Sequence, residues 1–414
     1  MSSRESDTAP SLTKRAYNRY AEHGIRNLAR QTVRHLADEL VSNQLVSATD
    51  VQRQRPDRHE IYYTDQEEPI VISPPDDALL RNAFENYPKR FRPDRGFVCT
   101  LTDCRLVGTN AVGLTNGNKI LAETTGHRPH SEFVGSRLEL GKHILDSYIR
   151  NEDESRMETV FPLISPDPSF YHWMMEYLPK LRFLELYREK TGEEPLILLE
   201  SSPPNFVFDT LETAGYDSSC YAEWNEDRAN VETLVLSTHR PHVFNYRHPS
   251  RSDYNPSYAD LRWLRERIRS NALISEDERS SSRRIYVSRQ KARRGRKIVN
   301  YEEALDVLER YDFEPHVLED YSFEEQVRLF AEAEVVMGPH GAGLLNCIFA
   351  DSPTVMELFP DSVIKPHFYY LAEIFGLEHR SQVTRSDGNN LIIDSERFDT
   401  FVRNVVTERS STQT

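Results

Sequence analysis

VVMGPHGAGLLNCIFA, residues 335–350, runs from an apolar strand pattern through Gly338-Pro339-His340-Gly341-Ala342-Gly343 into a segment that reads as an amphipathic helix. Small residues at such a junction let a backbone approach a ligand closely, and a helix N-terminus offers unpaired N–H groups to an anion. The stretch therefore reads as a diphosphate cradle. His340 stands at its lip to donate a hydrogen bond to a phosphate or ribose oxygen, and Asn346 is spaced to face the same crevice. A bare GxG would mean only a tight strand-to-helix turn. The added His340 and Asn346 favour binding over that plainer reading.

Working outward, FEEQVRLFAEA precedes this junction as a helix and TVMELF follows it as a strand. Upstream lie the strand RRIYVSR (283–289), a helix over 301–311 and the strand FEPHVL. Strands alternating with helices at this spacing predict a parallel sheet covered on both faces. The first of these strands ends at Ser288 and Arg289 and opens a loop with six cations in nine residues: Arg289, Lys291, Arg293, Arg294, Arg296 and Lys297. Ligands of open α/β sheets bind outside the carboxyl ends of strands, where guanidinium groups can pair with a diphosphate. A solvated basic loop facing acidic neighbours remains the alternative, most of all for Arg293 and Arg294. Arg289 and Arg296, which flank the loop, carry more weight.

A second alternation lies earlier, with LILLE (196–200), a helix over 206–214 and ETLVLST (232–238). Short β-like runs over 96–161, with a turn at Asn116-Gly117, suggest a small sheet ahead of it. ISPDPSFYHWMMEYLPKLRFLELYREKTG (164–192) reads as one long helix after a Pro-rich entry. His172 and Glu176 are four apart on it, so they share a helical face and can form an acid/base pair. The competing readings are a core histidine capped by a glutamate, or two metal ligands. HExxH and a third ligand are lacking, so no metal is expected. Residues 24–43 place Ile25, Leu28, Val33, Leu36 and Leu40 opposite Arg26, Arg30 and Arg34. Such a helix can lie on an anionic membrane surface or pack on its own domain or a second subunit. Residues 42–75 read as a polar linker, and 245–282 as a polar, helical bridge.

The chain has 414 residues, 51 Lys+Arg against 66 Asp+Glu, and a formal charge of −15, which speaks against nucleic acid as the main partner. Only 9 of the basic residues are Lys, and a surface rich in acid and poor in lysine suits concentrated salt. No apolar run is long enough for a membrane span, MSSRESDTAP lacks the apolar core of a secretory signal, and 4 cysteines are too scattered for a disulfide framework. A cytoplasmic location is expected, with peripheral contact to the inner face of the membrane if residues 24–43 bind there.

Three ordered motifs, YHWMMEYLPKL, YVSRQKARRGRKIVNYEE and FEEQVRLFAEAEVVMGPHGAGLLNCIFA with VMELFP, resemble the family 61 glycosyltransferases. The resemblance covers residues 165–360 and leaves the first 90 residues unmatched. It implies a GT-B fold, with two Rossmann-like α/β domains facing a cleft, here behind an N-terminal helical extension. The expected division is 1–75 extension and linker, 76–250 acceptor-side domain and 251–414 donor-nucleotide domain. It also implies inverting transfer from a nucleotide sugar to a hydroxyl of a glycan, glycolipid or glycoprotein precursor, without a metal or other cofactor; the chain shows no strand-flanked DxD. Carried over by position, Ser288, Arg289, Arg296, His340, Gly341, Ala342, Gly343, Asn346 and the strand-end acid Glu357 would bind the donor nucleotide. Glu176 would be the base and His172 its orienter or the alternative base. The competing functions are a non-catalytic sugar-nucleotide-binding scaffold of a polysaccharide assembly system, an epimerase acting on the same donor, and an oxidoreductase. The last lacks GxGxxG after an early strand.

Overall fold

The computed structural model describes residues 45–54, 61–85, 87–125, 155–165, 169–240, 256–272, 282–292 and 295–412. The amphipathic stretch at 24–43 and the pair Arg293-Arg294 lie outside the described residues. No helix among the described residues is long and apolar enough to cross a membrane.

The first half begins with β1 (Leu45–Val46), α1 (Ala48–Arg53) and β2 (Ile61–Tyr63). It continues with β3 (Ile70–Val71), α2 (Ala78–Phe84), β4 (Arg90–Phe91), β5 (Phe97–Val107), β6 (Val112–Leu114) and β7 (Ile120–Leu121). Next come β8 (Ser155–Pro162), α3 (Phe170–His172), α4 (Leu181–Thr191), β9 (Leu196–Leu199), α5 (Asn205–Thr213), β10 (Tyr221–Glu223) and β11 (Arg228–Ser237). These strands, except β3 and β4, form one sheet in the order β1-β7-β6-β5-β11-β8-β9-β10, with β2 on β5. Strands β11, β8, β9 and β10 run parallel, whereas β5, β6 and β7 pair antiparallel. The sheet is thus mixed, and the described β-like runs at 97–121 and 155–162 are part of it rather than a separate small sheet; the run at 131–135 lies outside the described residues. The turn at Asn116-Gly117 is present between β6 and β7.

The second half holds α6 (Tyr258–Asn271), β12 (Arg283–Val287), α7 (Tyr301–Arg310), β13 (Phe313–His316), α8 (Phe323–Ala331), β14 (Ala333–Pro339) and β15 (Thr354–Pro360). It ends with α9 (His367–Phe375), β16 (Glu378–Asp387), β17 (Asn390–Ile392) and α10 (Ser395–Thr412). Its sheet order is β13-β12-β14-β15-β16-β17, parallel except for β17. Both β14 and β15 are buried at every position, as expected of strands covered on two faces. Helix α8 starts with a complete capping box, Ser322 and Glu325, and presents Val327 and Phe330 to the core.

Three expectations are corrected. Residues 42–75 are not simply a linker: β1 pairs with β7, β2 pairs with β5, and Glu123 accepts from Ala48 N at 3.0 Å. Strands of two or three residues are too short to show a period. The predicted long helix over 164–192 is interrupted, with a π-turn at Trp173–Tyr177 and a 3-10 turn at Leu178–Lys180 between α3 and α4. Pro179 lacks the N–H that a continuous α-helix needs there. The segment after Gly341 is a 3-10 helix, Ala342–Phe349, and not an amphipathic α-helix. It is apolar but for Asn346 and buried from Leu344 onward, so no solvent-facing stripe exists to align.

The halves share one apolar core. Trp173, Leu184, Val207 and Leu211 of the first join Phe323, Val327, Phe330 and Leu344 of the second. The segment carrying β3, α2 and β4 packs instead on the second half, where Leu80, Phe84 and Tyr87 meet Phe359, Tyr369 and Tyr370.

Candidate functional site

In the second sheet, β12 lies between β13 and β14, so the chain leaves β12 to one side and returns on the other. The carboxyl ends of β12 and β14 therefore bound a switch-point crevice, the usual ligand position in such sheets. Ser288 and Arg289 emerge from β12, and His340 and Gly341 from β14. Gly341 has an extended backbone, and what it supplies is room: a Cβ there would overlap Arg289 Nη1. Gly338 supplies room deeper down, because a Cβ would lie 2.9 Å from the Val287 carbonyl oxygen, which cannot swing away. Gly338→Ala is expected to destabilise the protein by about 1–3 kcal/mol through overpacking. The check is a lower urea midpoint at unchanged m-value; an unchanged midpoint would mean that β12 and β14 are loosely packed.

Arg296 sits at φ 60°, a left-handed backbone that is uncommon for a non-glycine residue. It is held there by Arg296 N donating to Asn389 O at 3.1 Å and Lys297 N donating to Asn390 Oδ1 at 3.2 Å. The basic loop is thus pinned to the turn between β16 and β17. Burial, and then Arg296, lowers Arg289 to about 10, while its guanidinium donates weakly to Gly295 O at 3.3 Å. Lys365, just before α9, is likewise lowered by burial and then by Arg296. It has no hydrogen bond or ion pair to a carboxylate among the described residues. Burial pushes His340 well below the usual imidazole range, and His367, Arg296, Lys365 and Arg289 push it the same way. The crevice thus gathers cations that repel one another, an arrangement an anion would relieve.

Ser288 is buried, its N–H donates to His316 O at 2.8 Å, and its hydroxyl accepts from Tyr301 at 3.4 Å. Ala342 and Gly343 open the 3-10 helix, with Gly343 against Val287 and Leu318. Two expected binding residues are placed otherwise. Asn346 is 0% exposed and donates to Gln326 Oε1 at 2.8 Å, which fastens the 3-10 helix to α8. Glu357, also 0% exposed, lies behind His340 and bonds both His340 Nδ1 and His379 Nε2. Neither side chain lines the crevice, because both are wholly buried and bonded inward. Lys291 turns outward to Asp320, 2.7 Å away.

In the first sheet, β8 runs between β11 and β9, and α3 starts beyond its carboxyl end. Ser169 caps α3 by accepting from His172 N. His172 Nδ1 lies 3.1 Å from Glu176 Oε1, so the predicted pair exists. Their exposures differ: the His172 side chain is 22% exposed and that of Glu176 is 0% exposed. Glu176 also lies within the π-turn, a distortion frequent at functional sites. The fully buried ammonium of Lys180, lowered to about 8 by burial, is opposed by the charges of Glu123 and Glu176. His239, just past β11, has its ring 5.5 Å from that of Tyr177.

Residues that the sequence did not single out connect the His172–Glu176 pair to the second sheet. Tyr171 stacks on His367 at 5.6 Å, and His367 is 6.0 Å from His340. His367 Nε2 is held by the Tyr87 hydroxyl at 2.9 Å. Neither Lys365 nor His367 belongs to a motif, and only the packing of the start of α9 against His340 brings them in.

An α/β protein with a cationic crevice at a sheet switch point, next to a histidine–carboxylate pair, is the class that this geometry defines. Residues 170–356 match the family model Glycosyltransferase 61, and that span is a glycosyltransferase 61 domain. The chain is similar to a beta-1,2-xylosyltransferase of Arabidopsis thaliana, 35% identical over 66 residues, covering 16% of this chain and 12% of that protein. It is also similar to alpha-1,3-arabinosyltransferase XAT3 of Oryza sativa subsp. japonica, 27% identical over 173 residues, covering 39% of this chain and 28% of that protein. The chain therefore spans well under a third of the length of either relative. The family match stops just before Glu357, so Lys365 and His367 fall beyond it.

Proposed function

We propose that the protein is an inverting glycosyltransferase of GT-B type that moves a sugar from a nucleotide-sugar donor to a hydroxyl of a glycan, glycolipid or glycoprotein precursor. The observation that carries this reading is the mutually repelling set Arg289, Arg296 and Lys365 around His340 at the switch point. A nucleoside diphosphate would place its negative charge among these cations. Residues 251–414 act as the donor side and 76–250 as the acceptor side, apart from the segment through Phe91 that packs on the second half.

On this reading the acceptor hydroxyl attacks the anomeric carbon opposite the departing diphosphate. His172 takes its proton, and Glu176 orients the ring through Nδ1, since a carboxylate with no exposed surface is poorly placed to meet an acceptor. This takes the alternative that the sequence left open, with His172 rather than Glu176 as the base. Arg289, Arg296 and Lys365 stabilise the charge that develops on the leaving group, a role that needs no divalent ion.

A thermal-shift screen over nucleoside diphosphates, nucleotide sugars and NAD tests the reading. Pentosyl donors come first because both relatives are named as pentosyltransferases. A ligand at 100 times its Kd should stabilise the fold by about 2.7 kcal/mol. Stabilisation by NAD alone, or by no nucleoside diphosphate, would overturn the proposal. Acceptor-dependent transfer then separates an enzyme from a binding scaffold.

A further inference from the structure

Two buried glutamates stand behind two histidines in this protein, and their surroundings differ. Glu176 feels the charge of the buried Lys180. Glu357 has imidazoles instead: one oxygen meets His340 Nδ1, and the other lies 2.9 Å from His379 Nε2. All three side chains are almost wholly buried, and no Arg or Lys forms an ion pair with Glu357 among the described residues. Arg296 acts on it only through its longer-range charge. A carboxylate buried without a cation is costly, and sharing a proton with a neighbour removes that cost.

We propose that Glu357 is a proton store for His340, a positioning residue that sets which hydrogen bond the crevice offers to a diphosphate. This rests on the crevice reading above and extends it. In the empty crevice, the Glu357 carboxylic acid donates from Oε1 to His340 Nδ1, and Oε2 accepts from His379 Nε2–H. The His340 proton then sits on Nε2, which makes that nitrogen a donor. When a diphosphate occupies the crevice, the proton moves from Oε1 to Nδ1. The products are an imidazolium and a carboxylate, and the Nε2–H bond to phosphate becomes charge-assisted. No proton is taken from solvent. The cations facing His340 (Arg289, Arg296 and Lys365) and the neighbouring His367 oppose its protonation while the crevice is empty, and Arg380 does the same for His379. An anion reverses that balance. Burial holds Glu357 well above, and His340 well below, their usual ranges, in keeping with the uncharged resting pair.

The test uses the full chain with inorganic pyrophosphate as probe. In the free protein, nitrogen-15 histidine spectra are expected to show His340 with its proton on Nε2. The infrared difference between wild type and Glu357→Gln should contain a carboxylic-acid band. Saturating pyrophosphate should convert that band to carboxylate with no net proton uptake by calorimetry in two buffers. Glu357→Gln should bind pyrophosphate about tenfold more weakly. A His340 tautomer protonated on Nδ1 in the wild type, which needs no variant to fold, would overturn the proposal. A free protein without the carboxylic-acid band, which nonetheless binds pyrophosphate, removes the proton store alone. Failure of pyrophosphate to bind removes the crevice reading and the proton transfer together.

Discussion

His172→Ala is expected to lower turnover by about 10²–10⁴-fold while leaving nucleoside-diphosphate binding within a factor of two or so. His172 is the exposed member of the pair, at 22% against 0% for Glu176, and only an exposed group can reach an acceptor hydroxyl. On the proposed reading, Glu176 orients the ring by its 3.1 Å approach to Nδ1. Glu176→Gln keeps the shape but replaces an accepting carboxylate with an amide, so its loss should be smaller than that of His172→Ala. The measurement is single-turnover transfer for both variants, with binding followed by calorimetry. If Glu176→Gln were the more damaging change, the carboxylate would be the base. If both variants turned over normally, the pair would be structural.

Arg289→Ala is expected to weaken nucleoside-diphosphate binding and to slow transfer by about 10²–10³-fold, or about 2.7–4 kcal/mol of barrier. Its guanidinium lies against Gly341, is half-buried, and makes only long bonds to Gly295 O. Removing it leaves no known structural ion pair broken, so stability should change little. The contrast between lost binding and retained melting temperature is the diagnostic. Binding that survived Arg289→Ala would move the anion site away from the β12–β14 switch point.

Much of this was legible along the chain. Apart from the 3-10 helix after Gly341, the strands and helices from Arg283 to Pro360 follow from local periodicity, because parallel strands covered on both faces are near-continuous apolar runs. The π-turn around Glu176 was not legible, since an i+4 spacing looks the same whether one carbonyl is skipped or not. The inward turns of Asn346 and Glu357 were also hidden. Motif position places a residue near a crevice but does not say on which side of the backbone its side chain lies.

The amino-acid order alone determined the alternation of strands and helices, the cationic loop after β12, the glycine junction after β14, and the pairing of His172 with Glu176. Those are short-range matters, set by hydrophobic period, steric room and neighbours within a few residues. The tertiary structure decided which groups face one another across long separations. It brought Lys365 and His367 beside His340, stacked Tyr171 on His367, and set Tyr87 against the same imidazole across 280 residues of chain. It also decided which of two histidine–carboxylate partners is buried. Burial is a property of what packs around a residue, and no local pattern carries it.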